Sequence, residues 1–124
     1  MIEEIARATV ADFPAPFSGL AASVAIRVAE TVPDHLLDPD DDAEAQRSEI
    51  TGMYDGVPIT EKRMDDIPFG PDVVWLFREP ILAELADRPG ETLERLVAHV
   101  TVHEFAHHFG WSDADIAAID RWWE

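Results

Sequence analysis

The chain has 124 residues, 47% of them hydrophobic, which suits one domain with a real core and falls short of two lobes flanking a deep cleft. Its 26 acidic against 9 basic residues leave a formal charge of -17, a surface that repels nucleic acid and anionic membranes and suits cationic partners or plain solubility. There is no cysteine, which excludes a disulfide framework and a thiolate metal site.

The opening MIEEIARATVADF carries neither a basic n-region nor a long apolar run. Neither a signal peptide nor a membrane span is expected, and the expected location is cytoplasmic. Ile2, Ile5, Ala6 and Val10 fall at helical spacing, which predicts an amphipathic helix over 2–12, ended by Pro14 and Pro16. Ser23 to Glu30 alternates apolar and polar residues and predicts a strand. Residues 33–49 read as an acidic, proline-containing loop. Within it Asp38, Asp40, Asp42, Glu44 and Glu49 fall at positions 1, 3, 5, 7 and 12 of a calcium-loop spacing. Ala43 stands where such a loop needs glycine, so a solvated loop is the default reading there, with cation binding an open alternative.

Ile50 to Tyr54 and Val57 to Thr60 flank Asp55-Gly56, a tight-hairpin signal, with Pro58 making the second arm an edge or a short extension. Val73 to Arg78 (VVWLFR) predicts another strand, and Ile81 to Asp87 a short helix or turn. After Pro89-Gly90 a long helix is expected over 91–109. Its apolar residues Leu93, Leu96, Val97, Val100, Val102, Phe105, Ala106 and Phe109 wrap most of the circumference, as in a helix at the centre of a small domain. A last helix is expected over 113–123. The whole is an α+β domain spanning 1–124, with no internal repeat or interdomain linker.

The chemistry concentrates in HEFAHHFGWSD, His103 to Asp113. His103 and His107 are four apart, about 40° of rotation and about 6 Å of rise on a helix, so both imidazoles leave one face and can meet at one ion. Glu104 lies about 100° around the axis from His103, where a carboxylate can reach a water on the metal without being a ligand. Gly110 tolerates positive φ and can end the helix and turn the chain back. Asp113 then arrives as a third ligand, which leaves a fourth position open, as catalytic zinc requires. Asp113 and Asp115 also admit a purely structural account, as the first and third residues of a last helix capped by Ser112, and the two roles are compatible.

HEFAHHFGWSDADI resembles the H-E-x-x-H-x-x-G-x-x-D-x-D-I signature of a bacterial family of small, predicted zinc-dependent metallopeptidases with a minimal zincin-like fold. ITGMYDGVPITEK, Ile50 to Lys62, is similar to that family's second recurring stretch. The resemblance covers most of the chain beyond about residue 20. It implies one zinc ion held by His103, His107 and Asp113, with Glu104 as the base. It also implies a small twisted sheet packed on a central active-site helix, with N- and C-terminal helices. The H-x-x-G-x-x-D ending also resembles snapalysin-type metzincins, in which aspartate is the third ligand, although no methionine follows Asp113 to form a metzincin methionine turn.

The expected function is hydrolysis of peptide bonds in a peptide or protein substrate, by a zinc-bound water that Glu104 activates. The alternative is a non-catalytic metal-binding or protein-interaction module on a degenerate zincin fold. No nucleic acid or membrane partner is expected, and the oligomeric state is open. In zincin-like folds the edge strand can pair with an extended peptide, a role open here to VVWLFR or to the 50–60 hairpin. Around this motif, His99 reads as a buried histidine bonded to a carbonyl or carboxylate, and His108 as a structural or surface residue. Tyr54 is the only tyrosine; it reads as sheet packing with a polar tip, or as an oxyanion donor if the hairpin overhangs the site. Trp75, Trp111, Trp122 and Trp123 read as core or helix-packing residues.

Overall fold

The computed structural model describes residues 1–13, 17–56 and 72–110. Helix α1 spans Ile2–Ala11, α2 Phe17–Ala21 and strand β1 Ala25–Ala29. A short 3-10 turn at Asp34–Leu36 precedes α3, Ala43–Glu49. Strands β2, Gly52–Asp55, and β3, Val73–Phe77, then lead into α4, Arg78–Ala86, and α5, Leu93–His108. Pro14, Pro16, the arm Val57–Thr60, Trp111, Trp122, Trp123 and the expected last helix over 113–123 lie outside the described residues.

The sheet is mixed, in the order β1-β3-β2. β1 runs parallel to β3, with Ala25 opposite Val73 and Ala29 opposite Phe77. β2 runs antiparallel to β3, with Gly52 opposite Leu76 and Asp55 opposite Val73. VVWLFR is therefore the central strand, as its near-continuous apolar run suits. It has a partner on both sides and cannot offer an edge to a peptide.

Helix α5 packs against α1 and across β2 and β3, while α1 also packs against β1. One cluster of buried side chains gathers Ile2 and Ala6 of α1, Leu76 of β3, Ile81 of α4, and Leu96, Val97 and Val100 of α5. A second gathers Phe13, Ala21, Val74, Val102, Phe105 and Phe109. There Phe13 meets Phe105 edge-on at a centroid distance of 5.6 Å and Phe109 at 6.2 Å. Thr101 is also buried, and its hydroxyl donates to the Val97 carbonyl at 2.7 Å. Burial thus wraps α5, as the sequence predicts. The stripe left open is polar: Arg95 and His99 are exposed, and His103 and His107 are half-buried.

The boundaries have local causes. Thr92 caps α5, its side chain accepting from the Arg95 N–H at 3.1 Å. Gly110 follows the helix with φ of 80° and donates its N–H to the His107 carbonyl at 3.0 Å. Helix α4 begins at Arg78, directly off β3 and ahead of the expected 81–87. Pro80 falls in its first turn, where a missing N–H removes no helical bond.

The acidic segment 33–49 is not wholly a loop. Asp42 caps α3, accepting from Glu44 N–H at 2.9 Å and Ala45 N–H at 3.5 Å. Gln46 is buried and ties down the preceding turn: its Nε2 donates to the carbonyls of Asp38, 2.9 Å, and Asp41, 3.2 Å, while its Oε1 accepts from Asp38 N–H at 2.8 Å. Asp38 and Asp42 spend their carboxylates on turn amides, and among the described residues this segment gathers no group with metal-ligand spacing. Replacing Gln46 by Ala strands three backbone groups and is expected to cost about 1–3 kcal/mol. The check is a lower urea midpoint at unchanged slope.

Candidate metal centre

On the polar stripe of α5, His103 and His107 stand one turn apart with ring centroids 5.2 Å from each other and ring planes 76° apart. One donor atom from each of His103, Glu104 and His107 lies within 4.8 Å of the others. Among the described residues this is the one group of three such side chains. Zinc bonds of about 2 Å place its donors roughly 3–4 Å apart, and the spacing of the two imidazoles is compatible with one shared ion, with the Glu104 carboxyl beside it. Asp113, the expected third ligand, lies outside the described residues.

Glu104 owes its setting to β2. The Thr51 carbonyl accepts from Phe77 N–H at 2.9 Å, so by strand alternation residues 51, 53 and 55 face β3, while Gly52 and Tyr54 turn their backbone groups outward. The Tyr54 N–H is directed to the Glu104 carboxylate. Gly52 allows the helix this close: a Cβ there would lie 2.7 Å from Val100 Cγ1, 3.1 Å from the Trp75 carbonyl oxygen and 3.2 Å from Glu104 Cγ. Burial under β2 pushes the Glu104 carboxyl up to about 7, against the lowering effect of the Tyr54 N–H. A carboxyl held near neutrality is suited to accept and return a proton.

The other predicted side chains divide. His99, at the N-terminal end of the stripe, is exposed rather than buried, because that face of α5 is open there. His108 is structural and only 1% exposed. Its Nδ1 lies 3.1 Å from the Tyr54 hydroxyl and 3.3 Å from Asp72 Oδ2. The Tyr54 hydroxyl donates to Asp72 Oδ2 at 2.8 Å. Burial first, then the hydrogen bond and charge of Asp72, raise the phenol's pKa, so it stays a neutral donor. Its single proton is committed to Asp72, not aimed as an oxyanion donor. Trp75 is half-buried and stacks on Phe77 at 6.2 Å, a packing role as expected. Asp72 is the residue that sequence reasoning missed. It lies 18 positions from Tyr54, and no local motif marks it.

Two outcomes follow. Gly52→Ala is expected to cost about 1–3 kcal/mol in thermal unfolding, because neither buried Val100 nor the Trp75 main chain can withdraw. For metal-free protein, kept so by chelator, the Glu104 carboxyl titrates higher folded than unfolded. The fold therefore favours its protonated form: the associated stability is full below the ordinary carboxylate range and is lost as pH rises through about 7. Glu104→Gln does not titrate. Its stability relative to wild type is expected to rise by on the order of 3 kcal/mol between pH 4 and pH 8, read from denaturant curves at each pH.

No curated protein matches the chain. The model of the zincin-like metallopeptidase family matches residues 21–123, which takes in all three strands, α5 and the H-E-x-x-H segment. A minimal α+β frame that sets a His-Glu-x-x-His cluster on a central helix beneath a small sheet agrees with that match, and the chain belongs to the zincin-like metallopeptidase family.

Proposed function

We propose that the chain is an active zinc-dependent metallopeptidase, with one zinc ion held by His103, His107 and Asp113 and with Glu104 as its general base. The observation that carries this reading is the clustering of two imidazoles with a carboxyl, one donor atom of each within 4.8 Å of the others, in a chain of the zincin-like family. A zinc ion bound there would supply Lewis-acid polarisation of a carbonyl and make an attacking water more acidic. Glu104 accepts the proton of that water and returns it to the leaving amine. The Tyr54 N–H keeps the carboxylate facing the histidines while the proton is moved.

Substrate is an extended peptide that pairs with the outward carbonyls of β2, while the Tyr54 N–H on that side stays with Glu104. The formal charge of -17 favours cationic over anionic peptides there. No helix among the described residues is long and apolar enough to cross a membrane.

Protein purified without added metal is expected to contain, or take up at neutral pH, one zinc per chain. His103→Ala should lose it and Glu104→Gln should keep it. On a mixed peptide library Glu104→Gln should turn over between about a hundredfold and ten-thousandfold more slowly than wild type. Failure of wild type to take up zinc removes the ligand assignment. Zinc bound by both proteins with equal silence on peptides leaves a non-catalytic metal-binding module.

A further inference from the structure

Tyr54, Asp72 and His108 form a polar cluster where the end of β2, the start of β3 and the last turn of α5 meet. A phenol has one proton. Since Tyr54 donates it to Asp72, the hydroxyl oxygen is left to accept, and His108 must present Nδ1–H to it. The cluster therefore requires one tautomer of His108. His108 is fully buried and Tyr54 and Asp72 are partly so, and polar groups out of water are costly unless bonded, as these are to one another. Gly56 makes room for Asp72, since a Cβ there would lie 2.5 Å from Asp72 Oδ1.

Two members of the cluster connect to the candidate metal centre through the main chain. Tyr54 carries the N–H directed to Glu104, and His108 directly follows His107. Both connections sit on short or terminal structure: β2 is a four-residue strand that, among the described residues, pairs only with β3, and His107 lies in the last turn of a helix. Asp72 ties the two together, accepting from Tyr54 and lying beside His108.

We propose that Asp72 is a positioning residue for the metal centre. It holds Tyr54 and His108 so that the Tyr54 N–H stays on the Glu104 carboxylate and the last turn of α5 keeps His107 beside His103. It acts through those two residues and not on the substrate. This rests on the zinc reading given under Proposed function.

The test compares the full chain with Asp72→Ala, Asp72→Asn and Tyr54→Phe. Zinc affinity is read by competition with a chromophoric chelator, and site geometry by the visible absorption of Co2+ bound in place of zinc. Asp72→Ala and Tyr54→Phe should weaken zinc binding by about tenfold or more, as loss of supporting hydrogen bonds around metal ligands does, and should change the Co2+ spectrum. Asp72→Asn still offers the phenol an acceptor and should recover most of the affinity. In peptide turnover the loss should fall on kcat more than on KM, because Glu104 is what moves. Folded variants with wild-type zinc affinity and an unchanged Co2+ spectrum would overturn the proposal, whatever their melting temperatures, and leave only a structural staple. If Asp72→Ala does not fold, Tyr54→Phe, which removes a single oxygen, decides by the same readouts. A wild-type chain that takes up no zinc overturns the metal reading and this proposal together. Wild-type binding beside unchanged variants overturns this proposal alone.

Discussion

The close seat of β2 on α5 is the contact on which the rest of the molecule depends. A side chain at Gly52 would collide with Val100 and crowd Glu104, so glycine sets how near the helix lies to the sheet. That nearness takes the Glu104 carboxyl out of water and brings an outward-facing strand amide to it. On an open helix surface the same glutamate would titrate as an ordinary carboxylate. The chemistry assigned to it is a consequence of packing, delivered by a position with no side chain.

The second constraint is that α5 is nearly surrounded. It contributes buried residues to both core clusters, and Phe13 and Phe17, which follow α1, pack with Phe105 and Phe109 over one side of it. A helix wrapped in this way has one stripe left for polar side chains. On α5 that stripe is Arg95, His99, His103 and His107, running from exposed to half-buried toward the C-terminus. The two histidines of the motif sit where the stripe becomes half-buried, beside the Glu104 that packs at β2. His99, one turn earlier, is left in solvent by the same geometry, which is why the expectation of a buried histidine failed there.

Several elements were readable from local pattern because their causes are local. The periodicity of Ile2, Ile5, Ala6 and Val10 gave α1, the valine-rich alternation around Ile26 gave β1, and the all-round apolar pattern from Leu93 to Phe109 gave α5. Gly110 adopts the positive φ expected of a helix-ending glycine. Helix α3 was not readable, since seven residues are too few to show a period and its acidic composition suggested a solvated loop. Its signal was the Asp42 cap ahead of good helix formers, and its anchor was the reach of Gln46 across eight residues to Asp38. The start of α4 was hidden by Pro80, which reads as a breaker until it is placed in a first turn.

By itself the sequence determined the α+β class, the central helix and the grouping of His103, Glu104 and His107, because a four-residue spacing on a helix is a local geometric fact. Only the tertiary structure decided that β3 lies between β1 and β2, because pairing depends on partners distant in the chain. It likewise decided that the Tyr54 phenol is bonded to Asp72 and lies against His108, and that Glu104 is desolvated. Those contacts join residues up to 54 positions apart, and no spacing rule relates them. The two candidate histidine ligands and Glu104 are written along one helix, whereas the desolvation of Glu104 comes from the strand that packs across it.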